Sequence, residues 1–273
     1  MSATAVVMRI DATVTHRTQL RLEELGHRCH AVPMQNFLRR RLCVSLLTTL
    51  AMTSLNACDS PVKAPTSLLA GGLNGCEFDA QYWSFSDDTL IGQTTSENPL
   101  TKNQYLWFPG VYSNFELLCD VRITGGNSGV QYRTEPREDG EPRGFQADFD
   151  AAHSYTGRLY EGGEGERGLI NERGESVQYV NGVRTAQRFA DAATVDAAIH
   201  RDTWNTYRII AINGLVTHDL NGVLLTRVEE DVARRKDGRI GVQLHVGEPM
   251  KVEYKNFRIT PINADDETAW GGR

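Results

Sequence analysis

Past residue 58 the sequence holds only Cys76 and Cys119, with no Cys-x-x-Cys pair, and its four histidines stand far apart. Zinc therefore has no ligand set with the usual spacing. Beyond the N-terminal forty-odd residues there is no basic stripe with interleaved aromatics, and the formal net charge is -6, which argues against a nucleic-acid surface. No internal repeat is found. Helical patterning is scarce, and the one short helix expected lies near "AATVDAAI" (192–199). What is present is an ordinary globular balance, 40% hydrophobic and 23% charged, in a length that suits one large β-domain or two small ones.

The N-terminus reads as processing rather than structure. Arg39-Arg40-Arg41 precedes the apolar run "LCVSLLTTLAMTSLNAC" (42–58), too short to span a bilayer comfortably. Leu55-Asn56-Ala57-Cys58 resembles a lipoprotein cleavage site, with Asn56 unusual at its position, and makes Cys58 the expected lipidated residue. Ordinary signal cleavage nearby is the alternative. The expected organisation is an upstream extension (1–33), a signal peptide starting at Met34 (34–57), a tether rich in Pro, Ser and Gly (58–75), one β-domain (76–262) and a loose tail (263–273). That implies a lipid-anchored protein of a bacterial cell envelope, with the membrane as one partner.

Strand signals fill the β-domain. In "NFELLCDVRI" (114–123), Phe115, Leu117, Cys119, Val121 and Ile123 share one side. Ile240, Val242 and Leu244 do the same in "RIGVQLHV" (239–246), leaving Gln243 and His245 outward. Asn-Gly pairs at 181–182, 213–214 and 221–222 mark hairpin turns, so residues 204–228 read as a three-stranded meander. Near the end Val252 and Tyr254 are out of phase with Phe257 and Ile259, which predicts a β-bulge at Lys255-Asn256. Many short alternating strands imply an all-β jelly-roll sandwich of two antiparallel sheets. Cys119 is expected in the core as a free thiol, with a Cys76–Cys119 disulfide as the alternative.

The functional signal is a row of polar residues on alternate strand positions. "GFQADFD" (144–150) aligns Gln146, Asp148 and Asp150, and "NSGVQYR" (127–133) aligns Gln131 with Arg133. With Gln243 and His245 these would converge on one sugar-binding face, flanked by aromatic platforms at Trp107 and Tyr160, while Tyr132 alternates into the core. Laminarinase-type glucanases carry Glu-x-Asp-x-Glu on such a strand. Here Gln146 replaces the first carboxylate, and an amide cannot serve as the nucleophile of a two-carboxylate displacement.

"NSGVQYR", "GFQADFD", "YTGRLYEGGEGERGLI" (155–170), "WNTYRIIAING" (204–214), "HDLNG" (218–222), "IGVQLH" (240–245) and "VEYKNFRI" (252–259) resemble, in this order, the 3-keto-disaccharide hydrolase domain family. The resemblance covers about residues 77–260 and implies a concanavalin-like jelly roll. It also implies a chemistry needing one base, donors for an enolate oxygen and an acid, but no carboxylate nucleophile. Asp148 or His245 would be base or acid, with Arg133 and Gln243 on the enolate oxygen. Gln131 and Gln146 would orient hydroxyls, and Glu161 and Arg167 would stand at the groove edge. Many relatives carry Glu-x-Gln-x-Asp where this chain has Gln146-x-Asp148-x-Asp150, which bears on the role of Gln146 and on the substrate.

Other readings stand beside these. Asp150 could anchor the following loop, and Arg133 could simply pair with Asp148. His153 is a reserve candidate and His218 an architectural one. No cofactor is called for, although Asp148, Asp150 and His245 are the set that would hold a divalent cation. A non-catalytic, lectin-like carbohydrate-binding module is the competing function.

Overall fold

The computed structural model describes residues 63–138 and 141–263. The expected extension, signal peptide, Cys58 and the tail from residue 264 lie outside the described residues. The described strands are β1 (Thr66–Ser67), β2 (Trp83–Ser86), β3 (Thr89–Gln93), β4 (Gln104–Trp107), β5 (Phe115–Thr124), β6 (Asn127–Glu135), β7 (Arg143–Asp150) and β8 (Leu159–Gly162). They continue through β9 (Gly168–Leu169), β10 (Glu175–Val180), β11 (Val183–Arg188), β12 (Asn205–Ile212), β13 (Leu215–Leu220), β14 (Val223–Glu230), β15 (Arg239–Leu244) and β16 (Lys251–Pro261). The described helix, α1 (Ala192–Ala197), is capped by Asp191, whose side chain accepts from the Thr194 N–H.

The strands form a ten-stranded sheet, β11-β10-β14-β13-β12-β5-β16-β3-β2 with β1 beside β16, and a six-stranded sheet, β4-β15-β6-β7-β8-β9. This is the expected jelly-roll sandwich, with one departure: β10 runs parallel to β14. Its core is the set the alternation marks. Phe115, Leu117, Cys119 and Val121 of β5 face Phe145, Ala147 and Phe149 of β7 across buried space. Asn181 and Gly182 both have positive φ, as do Asn221 and Gly222, the geometry of tight hairpin turns. β12, β13 and β14 pair consecutively as the expected meander. The register of β16 slips between Lys255 and Arg258, with Asn256 at φ 53°, so Tyr254 and Phe257 both reach the core.

Three buried phenols stitch the sheets together. Tyr254 Oη lies 2.8 Å from Ser128 Oγ, and the Tyr207 hydroxyl donates to the Asp148 carbonyl at 3.2 Å. Tyr132 Oη lies 2.8 Å from His218 Nε2, whose Nδ1 lies 3.3 Å from the Gly157 carbonyl. A carbonyl only accepts, so Nδ1 carries the proton and Nε2 takes the Tyr132 hydroxyl. Burial lowers the His218 pKa to about 4, which keeps the ring neutral and architectural.

One expectation about the start of the domain changes. Residues 66–75 are part of the sandwich rather than a tether: Thr66 and Ser67 pair with Ile259 and Arg258, and Leu69 is buried in the core. A strand of two residues among turns has no alternation to reveal it. Cys119 is the expected free thiol in the core, where burial pushes its pKa up, and Cys76 is free as well rather than paired with it.

Candidate functional site

A groove of about 740 Å³ lies on the outer face of the six-stranded sheet. Cross-strand register builds its floor. Trp107, Gly241, Gln131, Gln146 and Tyr160 form one row across β4, β15, β6, β7 and β8. The next row pairs Tyr105 with Gln243 and Gly129 with Asp148. The hollow depends on the missing side chains. A Cβ at Gly129 would come within 2.6 Å of Gln146, and one at Gly241 within 2.5 Å of the Trp107 ring.

Gln131, Gln146, Asp148 and Gln243 line this groove, each 5% exposed. The Gln131 amide donates to Gln146 Oε1, and the Gln146 amide donates to Asp148 Oδ1 at 2.5 Å. Among the described residues no ion pair is made by Asp148, and Arg158 acts on it only through its field. Burial raises its pKa to about 7, with Gln146's hydrogen bond opposing the rise. His245, just past β15, lines the same groove and is solvent-exposed. Its Nδ1 lies 2.7 Å from the Val246 carbonyl, so Nδ1 carries a proton and Nε2 is the ring atom left for proton exchange. Tyr160, 41% exposed, forms part of the wall. Trp107 lies on the same sheet face, stacked on Tyr105 with ring centroids 5.4 Å apart, but does not line the groove.

Four expected site residues are elsewhere. Arg133 does not reach the groove. At φ 48°, within the register shift between Tyr132 and Glu135, it turns away from Gln131's side. Its guanidinium donates to the carbonyls of Ser113 (2.8 Å), Asn213 (2.7 Å) and Arg235 (3.0 Å) and to Asn114 Oδ1 (3.1 Å). Burial lowers its pKa to about 10, so it remains a cation that clasps three loops. Asp150 is the loop anchor: its carboxylate accepts from the N–H groups of Ser154, Tyr155 and Thr156 and from Thr156 Oγ1, at 2.8–2.9 Å.

Glu161 and Arg167 leave the groove together. Strand alternation turns Glu161 away from Tyr160, into a buried cluster where Arg167 meets it at 2.6 Å and Arg234 at 2.9 Å. Arg167 also reaches Glu230 at 2.7 Å, and Glu166 pairs with Arg143, Arg234 and Arg235. The proposed cation set fails for the same reason as Asp150. Among the described residues no three His, Cys, Asp or Glu side chains gather as a metal site.

Sequence reading missed the far side of the groove. Glu141 accepts from Asn103 Nδ2 at 3.0 Å and from the Tyr105 hydroxyl, which in turn accepts from the Gln243 amide at 3.1 Å. Burial, then the Glu141 contact, raises the Tyr105 pKa and keeps its phenol protonated. Tyr155 and the 162–164 segment complete the wall. The alternation of Tyr105 with Leu106 was the available signal for Tyr105. Glu141 sits in a loop with no periodicity to read.

A jelly roll with amides, a desolvated carboxyl and tyrosines on one sheet face is built like a carbohydrate-handling domain of the glycosyl hydrolase-like and carbohydrate-binding kind. The chain belongs to the 3-keto-alpha-glucoside-1,2-lyase-like domain family, which matches residues 66–260. A candidate glycosyl hydrolase from Parabacteroides distasonis is similar in structure: TM-score 0.50 and 17% identity, covering 73% of this chain and 100% of that one. A carbohydrate-binding module from Bacillus subtilis aligns at TM-score 0.45 and 12% identity, covering 73% of this chain and 97% of that one. At these identities the likeness concerns the fold alone. Among curated proteins none matches the chain.

Proposed function

We propose that the groove cleaves 3-keto-glycosides by proton abstraction, elimination and hydration, with Asp148 as the base. The observation that carries this reading is the Asp148 carboxyl: on the groove floor, desolvated, and tuned to a pKa of about 7. A ketone at C3 acidifies the C2 proton. Asp148 takes that proton, and the C–H electrons move into a C2–C3 enolate. Collapse of the enolate restores the ketone, forms a C1–C2 double bond and breaks the bond from C1 to the leaving oxygen. Water then adds at C1 while C2 regains a proton, giving net hydrolysis.

With Arg133 outside the groove, the enolate oxygen falls to neutral donors, the amides of Gln131, Gln146 and Gln243. His245, through Nε2, is the group suited to carry a proton to the leaving oxygen or from the incoming water. Gln146 in place of a carboxylate fits this chemistry, which has no covalent glycosyl step. Incubating the protein with a 4-nitrophenyl 3-keto-α-glucoside tests it. Release of nitrophenol that depends on Asp148 supports the reading.

A non-catalytic carbohydrate-binding role is the second reading, favoured by the amide row from Gln131 through Gln146 to Asp148. Saturable oligosaccharide binding by calorimetry without nitrophenol release would select it. We also infer anchoring to a bacterial envelope through a lipid on Cys58. Mass spectrometry of the mature N-terminus tests this, and an unmodified cysteine there refutes it.

A further inference from the structure

Once Arg133 and Arg167 are drawn inside, acidic side chains dominate the groove. Its described lining holds Glu141, Asp148 and Glu164, with His245 as its basic side chain and neither Lys nor Arg. The partners of Glu141 sharpen this: Asn103 and Tyr105 fix its carboxylate on the groove wall, and neither brings a positive charge.

A second observation is independent of the carboxylates. Gln243 is 5% exposed and lines the groove. One of its two Nε2 hydrogens goes to Tyr105 Oη at 3.1 Å, and its Oε1 has no hydrogen-bond partner among the described residues. A buried acceptor without a donor is costly until something supplies one. A protonated amine offers three donors and a positive charge, whereas a carboxylate or phosphate offers neither.

We propose that the groove end formed by Asn103, Tyr105, Glu141 and Gln243 is a cation subsite, taking a protonated amine on the glycoside and rejecting anionic sugars. This rests on the glycoside reading above. Glu141 supplies the charge, Gln243 Oε1 the second acceptor, and Glu164 adds to the same field from the opposite wall segment. The substrate class is then amine-bearing glycosides, with neutral ones accepted more weakly.

The test compares three unoxidised α-glucosides that differ only in the aglycone: 4-aminomethylphenyl, phenyl and 4-carboxyphenyl. Calorimetry near pH 7.5 is expected to rank them in that order, with steps on the order of tenfold in Kd. The gap should shrink in about 0.5 M salt, where charge is screened within a few ångströms. Glu141→Gln should narrow it most and Glu164→Gln less. Both residues are exposed, so folding is not at risk, and thermal melts check it. Equal affinities, a tightest carboxylate, or an unchanged gap in Glu141→Gln would overturn the cation subsite while glycoside binding stands. Binding by none of the three would overturn the subsite, while the 3-keto-glycoside reading is decided separately by nitrophenol release.

Discussion

The groove floor and the arginine cluster behind β8 both bury carboxylates, and they treat them in opposite ways. Glu161 has no exposed side-chain surface and meets Arg167 and Arg234 at 2.6 and 2.9 Å. Asp148 is also buried, but it takes its side-chain hydrogen bond from one amide and makes no ion pair among the described residues. The paired carboxylate is locked into an arginine cluster and serves architecture. The unpaired one is left near its titration point and is available for proton transfer. Asp148 and Asp150 repeat the contrast within one strand, since Asp150 is saturated by loop donors two residues away.

The largest expected effect breaks the floor. Asp148→Asn should lower release from a 3-keto-α-glucoside by on the order of 1,000-fold, read by single-turnover absorbance. Undiminished turnover would remove Asp148 from the chemistry. The same variant sharpens the comparison through stability. Asp148 holds its proton more tightly folded than unfolded, so its contribution is present below the ordinary carboxylate pKa and lost as pH rises to about 7. Asp148→Asn should therefore be more stable than the parent at pH 8, by on the order of 4 kcal/mol, with the gap closing toward pH 4. Chemical denaturation at the two pH values measures it.

On the architectural side, Arg133→Met strands the carbonyls of Ser113, Asn213 and Arg235. It should cost roughly 3 kcal/mol of stability. The KM of whatever protein remains folded should stay near the parent value, because the guanidinium does not line the groove. The smallest effect is on the wall. Tyr160→Ala should weaken oligosaccharide binding by about 1 kcal/mol, roughly fivefold in Kd, without moving the melting temperature.

Apolar phase made most of the fold legible. It marked the bulge at Lys255-Asn256 because Tyr254 and Phe257 both carry apolar labels on either side of the slip. The slip after Tyr132 carries no such label: Arg133, Thr134 and Glu135 are all polar, so simple alternation kept Arg133 beside Gln131. In the site, Gln131, Gln146, Asp148 and Gln243 follow from strand parity alone. Asp150 stands at a strand end, where loop amides rather than parity decide its partners. Tyr160 and Glu161 are adjacent in β8 and so cannot share a face. Glu141 comes to Tyr105 only through tertiary folding, which links residues 36 positions apart.

The pH dependence of kcat/KM on a chromogenic 3-keto-α-glucoside tests the central claim most directly, that Asp148 is a desolvated base. As the base, it works when ionised, so the rate should rise with pH and level off above about 7. A rise centred near pH 4, the value of a solvated carboxylate, would contradict a desolvated base on the groove floor.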